Sequence, residues 1–175
     1  MTTSSGNQQM IEAPKKTICI IDGHGGGIGA AIIKYIRQFH ENHFELVALG
    51  TNAIATSGML RAGAHKGASG ENALVLNVET ADLIIGPISI TWPNASLGEI
   101  TPRMAGAVME SPAPKILLPL HRENVHLMHF SEKEPLPHQA IINARIHKME
   151  LVNHRILFSN EKTASTDIPE EIAIW

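Results

Sequence analysis

The fold is decided by one stretch of the sequence, Ile20-Ile21-Asp22-Gly23-His24-Gly25-Gly26-Gly27-Ile28-Gly29-Ala30. Five of the eight residues from Asp22 to Gly29 are glycine. An apolar run precedes this stretch, and residues 32–39, which follow it, carry apolar side chains at helical spacing. A phosphate reaches a helix N-terminus only where backbone N–H groups point at it and no Cβ intrudes. The stretch therefore predicts a strand, an anion-binding glycine turn and a helix.

The five glycines are expected to have different roles. Gly23 would supply the tight turn, Gly25–Gly27 the close approach of a ligand, and Gly29 the close packing of helix on strand. Asp22 and Ile28 belong to the same predicted cofactor-binding turn, and His24 could donate to an anion or act as an acid. The alternative is that the glycines only let the helix pack tightly on the strand.

Further apolar runs alternate with helical patterns along the chain. Continuous runs predict buried parallel strands at Thr17–Ile21, Leu46–Leu49, Ala81–Ile85 and Lys115–Leu118, with Val125–Leu127 as a weaker fifth candidate. Helices are predicted between the first two strands, at Ala53–Ala62 and Ala73–Val78, from Pro102 to Met109 and from Pro135 to Leu151. This alternation predicts an α/β fold with a single doubly wound, mostly parallel sheet of about five strands and helices on both faces, which is Rossmann-like.

The 175 residues suit one such domain. Residues 1–14 are polar and are predicted to form a flexible tail, and residues 15–151 the Rossmann-like domain. Residues 152–175 form a C-terminal extension that could dock on the domain or on a partner.

Composition disfavours several classes of function. A formal charge of −3 and scattered Lys and Arg residues disfavour nucleic acid and membrane partners. We find no signal peptide and no apolar run of membrane-spanning length, so we expect a soluble cytoplasmic protein. Cys19 is the only cysteine and should be a buried hydrophobe, and the histidine spacing does not predict a metal site.

Candidate ligand contacts lie beyond the predicted carboxyl ends of the strands. Besides the glycine turn, this edge would hold Thr51-Asn52, Gly86-Pro87 and His121-Arg122. Thr51 or Asn52 could contact a ligand or cap the following helix. Glu71 and Glu99 lie in glycine-bearing loops, where each could act as acid, base or magnesium ligand, or be an ordinary helix-start carboxylate.

The spacing of Gly23, Gly27 and Gly29 is similar to the G-x-x-x-G-x-G loop of short-chain dehydrogenases, which implies NAD(P) as a possible cofactor. The catalytic Tyr-x-x-x-Lys of that family is absent, since Tyr35 is followed four residues later by Phe39. The end of the second strand, Gly50-Thr51-Asn52, also lacks the acid that normally holds a ribose.

Several strings together resemble a small bacterial family of domains of unknown function with Rossmann-like character. They are Ile21–Gly29, Ala48–Ser57, Gly70–Ala73, Ile84–Ile88 and Leu97–Thr101. The resemblance covers about residues 16–147 and implies a fold without naming a reaction.

We therefore expect a protein that binds a nucleotide or a phosphorylated small molecule at the glycine turn, with catalysis an open question. The cofactor, a nucleotide or NAD(P), is open as well. One alternative is a non-enzymatic accessory or regulatory protein that binds a protein partner through the scaffold and residues 152–175. A weaker alternative is an NAD(P)-dependent oxidoreductase, and a homodimer built by the extension is also possible.

Overall fold

The computed structural model describes residues 15–40 and 44–119. Within these ranges the strands are β1 (Lys16–Asp22), β2 (Phe44–Gly50), β3 (Lys66–Ser69), β4 (Leu83–Pro87) and β5 (Lys115–Leu118). The helices are α1 (Gly27–Phe39), α2 (Ala53–Arg61), α3 (Glu71–Val78) and α4 (Pro102–Glu110), with a short 3-10 turn at Ile88–Thr91.

The five strands form one parallel sheet in the order β3-β2-β1-β4-β5. The chain moves outward from β1 through β2 to β3, and it then returns to add β4 and β5 on the other side of β1. Because the crossovers are right-handed, this change of direction places α1 and α2 on one face of the sheet and α3 and α4 on the other. Accordingly α1 contacts α2, and α3 contacts α4. The predicted doubly wound α/β fold is confirmed, and its strand order reverses between β1 and β4.

Strand β1 occupies the centre of the sheet, and Ile18, Cys19, Ile20 and Ile21 have no exposed surface. Alternate side chains of a strand point to opposite faces, so Cys19 and Ile21 pack with α3 and α4. Burial, together with the nearby charge of Asp82, raises the pKa of the Cys19 thiol to about 12. Cys19 is therefore a buried hydrophobe, as predicted, and not a thiolate nucleophile.

Strand β3 is not predicted from the sequence, because its four residues Lys66–Ser69 have no continuous apolar run. This strand lies at the edge of the sheet and pairs only with β2, so its side chains are mostly exposed. An exposed edge strand gives no apolar pattern for sequence analysis to detect. Strand β4 also lies two residues further along the chain than predicted, and α3 begins two residues earlier, at Glu71.

Some predictions fall on residues outside the described ranges. They are the tail 1–14, the candidate strand Val125–Leu127, the helix from Pro135 to Leu151, His121-Arg122 and the extension 152–175. Among the helices that the structure does describe, none combines the length and the apolar content needed to cross a membrane.

We expect Gly29→Ala to destabilise the fold. A Cβ at this position would overlap Sδ of the buried Met59 and would lie 3.1 Å from Cβ of Asp22. Overpacking of this kind costs about 1 to 3 kcal/mol, which urea unfolding would measure.

Gly106→Ala is the matched control, because Gly106 lies inside α4 and the nearest atom to its added Cβ, Oε1 of Glu110, is 4.0 Å away. This substitution should stabilise the protein by about 0.4 to 1 kcal/mol. A Gly29→Ala variant as stable as the wild type would show that α1 does not need its close contact with α2.

Candidate functional site

The carboxylate of Asp22 holds the glycine turn from the inside. Asp22 is only 4% exposed at the end of β1, and its Oδ1 and Oδ2 accept hydrogen bonds of 2.8 Å from the amides of Gly23 and Gly29, respectively. It thus joins the end of the strand to the first turn of α1. Two of the amides in the predicted anion-binding turn are therefore engaged by the protein itself.

A second carboxylate, that of Glu99, lies against the same turn. Its Oε2 accepts hydrogen bonds from the main-chain amide of His24, at 2.8 Å, and from Oγ1 of Thr51, at 2.5 Å. Its Oε1 accepts from Nδ2 of Asn52, at 3.1 Å. A Cβ on Gly23 would lie 2.7 Å from Oε2 of Glu99, so this contact requires glycine at position 23.

The loop that carries Glu99 is held in an unusual conformation. Asn94, Ser96 and Leu97 have φ values of 65°, 55° and 58°, in the left-handed region that most L-residues avoid. Main-chain bonds within the loop join Asn94 to Ile100, and the side chain of Ile100 is buried in the core beside α3 and α4. Strained residues of this kind concentrate at functional sites, where the surrounding structure enforces them.

Glu99 is ionised at neutral pH. Burial raises the pKa of its carboxyl, but the hydrogen bonds from Thr51, the His24 amide and Asn52, with the electrostatic attraction of His24, outweigh that effect. The net pKa lies below the ordinary value of 4.5. The site therefore holds a fixed negative charge, and Glu99 has no proton to donate at neutral pH.

The fold thus supplies an acid at the end of β2, where the sequence Gly50-Thr51-Asn52 has none. Glu99 reaches this position from the loop between β4 and α4, and it follows Thr51 by 48 residues. No local signal in the sequence pairs Glu99 with Thr51. The sequence analysis named both residues but did not place them together.

The five glycines of the turn fall into two groups, and the first group has close neighbours. Gly23 packs against Glu99, and Gly29 packs against Met59. Gly26 has a φ of 70°, and a Cβ added to it would lie 2.5 Å from the main-chain oxygen of Ala55. Contacts with the rest of the protein explain these three glycines.

Gly25 and Gly27 form the second group. Both are exposed, neither has a positive φ, and a Cβ at either position would meet no atom of the described residues within 4 Å. Neither backbone conformation nor packing within the part of the chain that the structure describes requires glycine at these two positions.

The main-chain amides of the turn also fall into two groups, those with a described acceptor and those without one. Those of Gly23 and Gly29 bind Asp22, that of His24 binds Glu99, and that of Gly26 donates to the oxygen of Gly23. Within the described ranges, the amides of Gly25, Gly27 and Ile28 have no acceptor. Three donors thus remain at the N-terminus of α1, where the helix dipole favours negative charge.

Asn52 caps helix α2, as predicted for Thr51 or Asn52. Its Oδ1 accepts from the amide of Ala55 at 2.9 Å, while its Nδ2 also donates to the main-chain oxygen of His24 at 3.0 Å. Thr51 is not the cap. Its amide donates to the main-chain oxygen of Asp22 at 3.0 Å, and its hydroxyl donates to Glu99.

The other candidate residues have structural partners. Glu71 is the first residue of α3 and accepts from Oγ1 of Thr101, at 2.5 Å, and from Arg103, at 3.3 Å. The Thr101 bond, with the Arg103 guanidinium, lowers the pKa of Glu71 against the opposing effect of burial. These contacts are those of a helix-start carboxylate.

Gly86 and Pro87 are buried at the end of β4. A Cβ on Gly86 would lie 2.6 Å from the main-chain oxygen of Ile21, so close strand packing accounts for this glycine. In the part of the chain that the structure describes, no three His, Cys, Asp or Glu side chains are grouped so that they could hold a metal ion.

The sheet order, the helices on both faces and the glycine turn after β1 define an α/β domain consistent with the Rossmann-like class. More particularly, the chain belongs to the family DUF3842, a domain of unknown function, whose sequence model matches residues 17–152. The expected membership in a family of domains of unknown function is confirmed. No curated protein matches the chain.

We expect Glu99→Gln to change the acid dependence of stability. Because the pKa of Glu99 is lower in the folded chain than its ordinary value of 4.5, the unfolded chain binds more protons at this residue near that pH. The stabilisation from the carboxylate is complete above that value and is lost as the pH falls through the folded-state pKa. The difference in unfolding free energy between wild type and variant should therefore shrink from neutral pH to about pH 3 in urea titrations.

Glu110→Gln serves as the control, since Glu110 is exposed at the end of α4 and its carboxylate accepts no hydrogen bond from the described residues. Its stability difference from the wild type should stay small across the same range. If Glu99→Gln behaved as this control does, the three hydrogen bonds to Glu99 would contribute no net stability.

Proposed function

We propose that this protein binds a phosphorylated small molecule or a nucleotide through the main-chain amides of Gly25, Gly27 and Ile28. The observation that carries the proposal is the pair of exposed glycines, Gly25 and Gly27, for which residues 15–40 and 44–119 give no structural reason. A ligand that lies against the main chain is such a reason, because any side chain there would keep it from the amides.

The position of the turn supports the same function. It follows β1 at the carboxyl edge of the sheet, and the strand order reverses between β1 and β4. In open α/β sheets this reversal leaves a crevice between the loops that leave the two strands, and ligands bind there. The N-cap residue of α1, Gly26, has no side chain, and Asp22 accepts only from the Gly29 amide in the first turn of the helix, so an external anion would complete that turn.

Two carboxylates close to the turn oppose the binding of an anion, and their effect can be weighed. The repulsion between two unit charges about 4 Å apart costs about 4 kcal/mol at the effective dielectric found near a protein surface, whereas a hydrogen bond to a charged group contributes about 1.5 to 3 kcal/mol. Both Asp22 and Glu99 are already neutralised in part by amide and hydroxyl donors. Three amides therefore offset the repulsion of a partly neutralised carboxylate, and the balance is most favourable for a ligand of low net charge.

The alternatives from the sequence analysis find no comparable support. Partner binding through residues 152–175 concerns a segment outside the described ranges. For an oxidoreductase, the ionised Glu99 is not a proton donor, which leaves His24 as the candidate acid in the turn.

A panel of inorganic phosphate, ribose 5-phosphate, ADP and NAD should identify at least one compound that raises the melting temperature of the full chain. A ligand present at a hundred times its Kd stabilises the folded state by about 2.7 kcal/mol. Gly27→Val should weaken binding at least about tenfold, since its branched side chain would cover the amides of Gly27 and Ile28.

Gly27→Val is expected to fold, because its Cβ meets no atom within 4 Å. Gly106→Val, in the middle of α4, is the matched control and should bind as the wild type does. Equal affinity of Gly27→Val and wild type for every compound, or no binding by the wild type at all, would refute the proposal.

A further inference from the structure

The hydroxyl of Thr51 and the carboxylate of Glu99 can offer a ligand only hydrogen-bond acceptors. The hydroxyl proton of Thr51 is used in the bond to Oε2 of Glu99, so Oγ1 has only lone pairs to offer another partner. Oε2 already accepts two hydrogen bonds, whereas Oε1 accepts one, from Asn52, and keeps an acceptor position. Both residues are partly exposed.

We propose that Thr51 and Glu99 bind the sugar of the ligand, whose two neighbouring hydroxyls donate to Oγ1 of Thr51 and Oε1 of Glu99. This inference rests on the proposed function and narrows it to a sugar phosphate, such as the ribose phosphate of a nucleotide. The amides of Gly25, Gly27 and Ile28 bind the phosphate.

The turn amides are hydrogen-bond donors and the Thr51–Glu99 pair are acceptors, so they suit different groups of one ligand. Phosphate oxygens accept hydrogen bonds, which suits the amide side, and are repelled by an acceptor pair that includes an ionised carboxylate. Hydroxyl groups donate, and a hydroxyl bond to a carboxylate is among the stronger hydrogen bonds in proteins. A ligand that carries a phosphate and a diol satisfies both sides, and a simple phosphate satisfies only one.

The acceptor pair is also held in place before any ligand arrives. Glu99 is fixed by donors from three segments: the turn at His24, the end of β2 at Thr51, and the cap of α2 at Asn52. Main-chain bonds within the loop, including that from the amide of Glu99 to the oxygen of Ser96 at 3.2 Å, hold its backbone. Little ordering entropy is therefore lost when the hydroxyls bind, and preorganised groups discriminate well between ligands.

Other roles for Glu99 fit these contacts less well. As a general acid it would need a proton, which its bonding to Thr51, His24 and Asn52 removes at neutral pH. As a cation ligand it would share its oxygens with three hydrogen-bond donors, whose positive ends already converge on the carboxylate.

Calorimetry with ADP, 2′,3′-dideoxy-ADP and inorganic phosphate on the full chain tests the inference. Wild type should bind ADP about tenfold or more tightly than the dideoxy compound, because each hydroxyl lost leaves an acceptor unpaired. Thr51→Val should reduce ADP affinity towards that of dideoxy-ADP and leave the dideoxy affinity nearly unchanged. Thr51→Ser keeps the hydroxyl and should retain the preference.

Glu99→Gln provides a second arm, in which the preference for ADP should also fall while the melting temperature reports whether the variant folds. Equal affinity of wild type for ADP and dideoxy-ADP, with both lost in Gly27→Val, would overturn the sugar assignment and leave the phosphate site standing. If wild type bound neither nucleotide nor phosphate, both proposals would fall.

Discussion

The hydrogen bond from the His24 amide to the carboxylate of Glu99 joins the parts of the candidate site. The same carboxylate binds Thr51 at the end of β2 and Asn52 at the cap of α2, so one side chain fixes the relative positions of two strand ends and a helix. An ionised acceptor that engages three donors gains charge-assisted bonds at each of them. Hydrogen bonds from the turn amides to Glu99 and to Asp22 hold the glycine turn in its shape.

The turn therefore contains two kinds of glycine, although the sequence alone shows them as one run. Gly23, Gly26 and Gly29 allow close contacts with Glu99, Ala55 and Met59, so these three glycines serve packing. Gly25 and Gly27 have no such contact. Packing thus explains the first group, and the proposed ligand binding rests on the second.

Membership in DUF3842 places the protein in a family without an assigned activity, so the functional argument depends on the site itself. That site combines three amide donors without a described acceptor and two partly exposed acceptors. The acid found with ribose in dinucleotide-binding folds normally follows β2 in sequence. Here a carboxylate reaches the same strand end from a loop after β4, which shows that absence of a residue from a motif does not mean absence of its chemical group from a site.

The sequence by itself determined the α/β class, the four strands with apolar runs, the helices that connect them and the location of the glycine turn. These features follow from local periodicity and burial, which neighbouring residues record directly. The edge strand β3 escaped because Lys66–Ser69 bury little and pair through the main chain on one side only. Only the tertiary structure decided which turn amides are engaged and that Glu99 meets Thr51. Those contacts depend on the loop that has left-handed residues at Asn94, Ser96 and Leu97. This loop brings Glu99 to Thr51, 48 residues earlier in the chain, and no local sequence pattern specifies that contact.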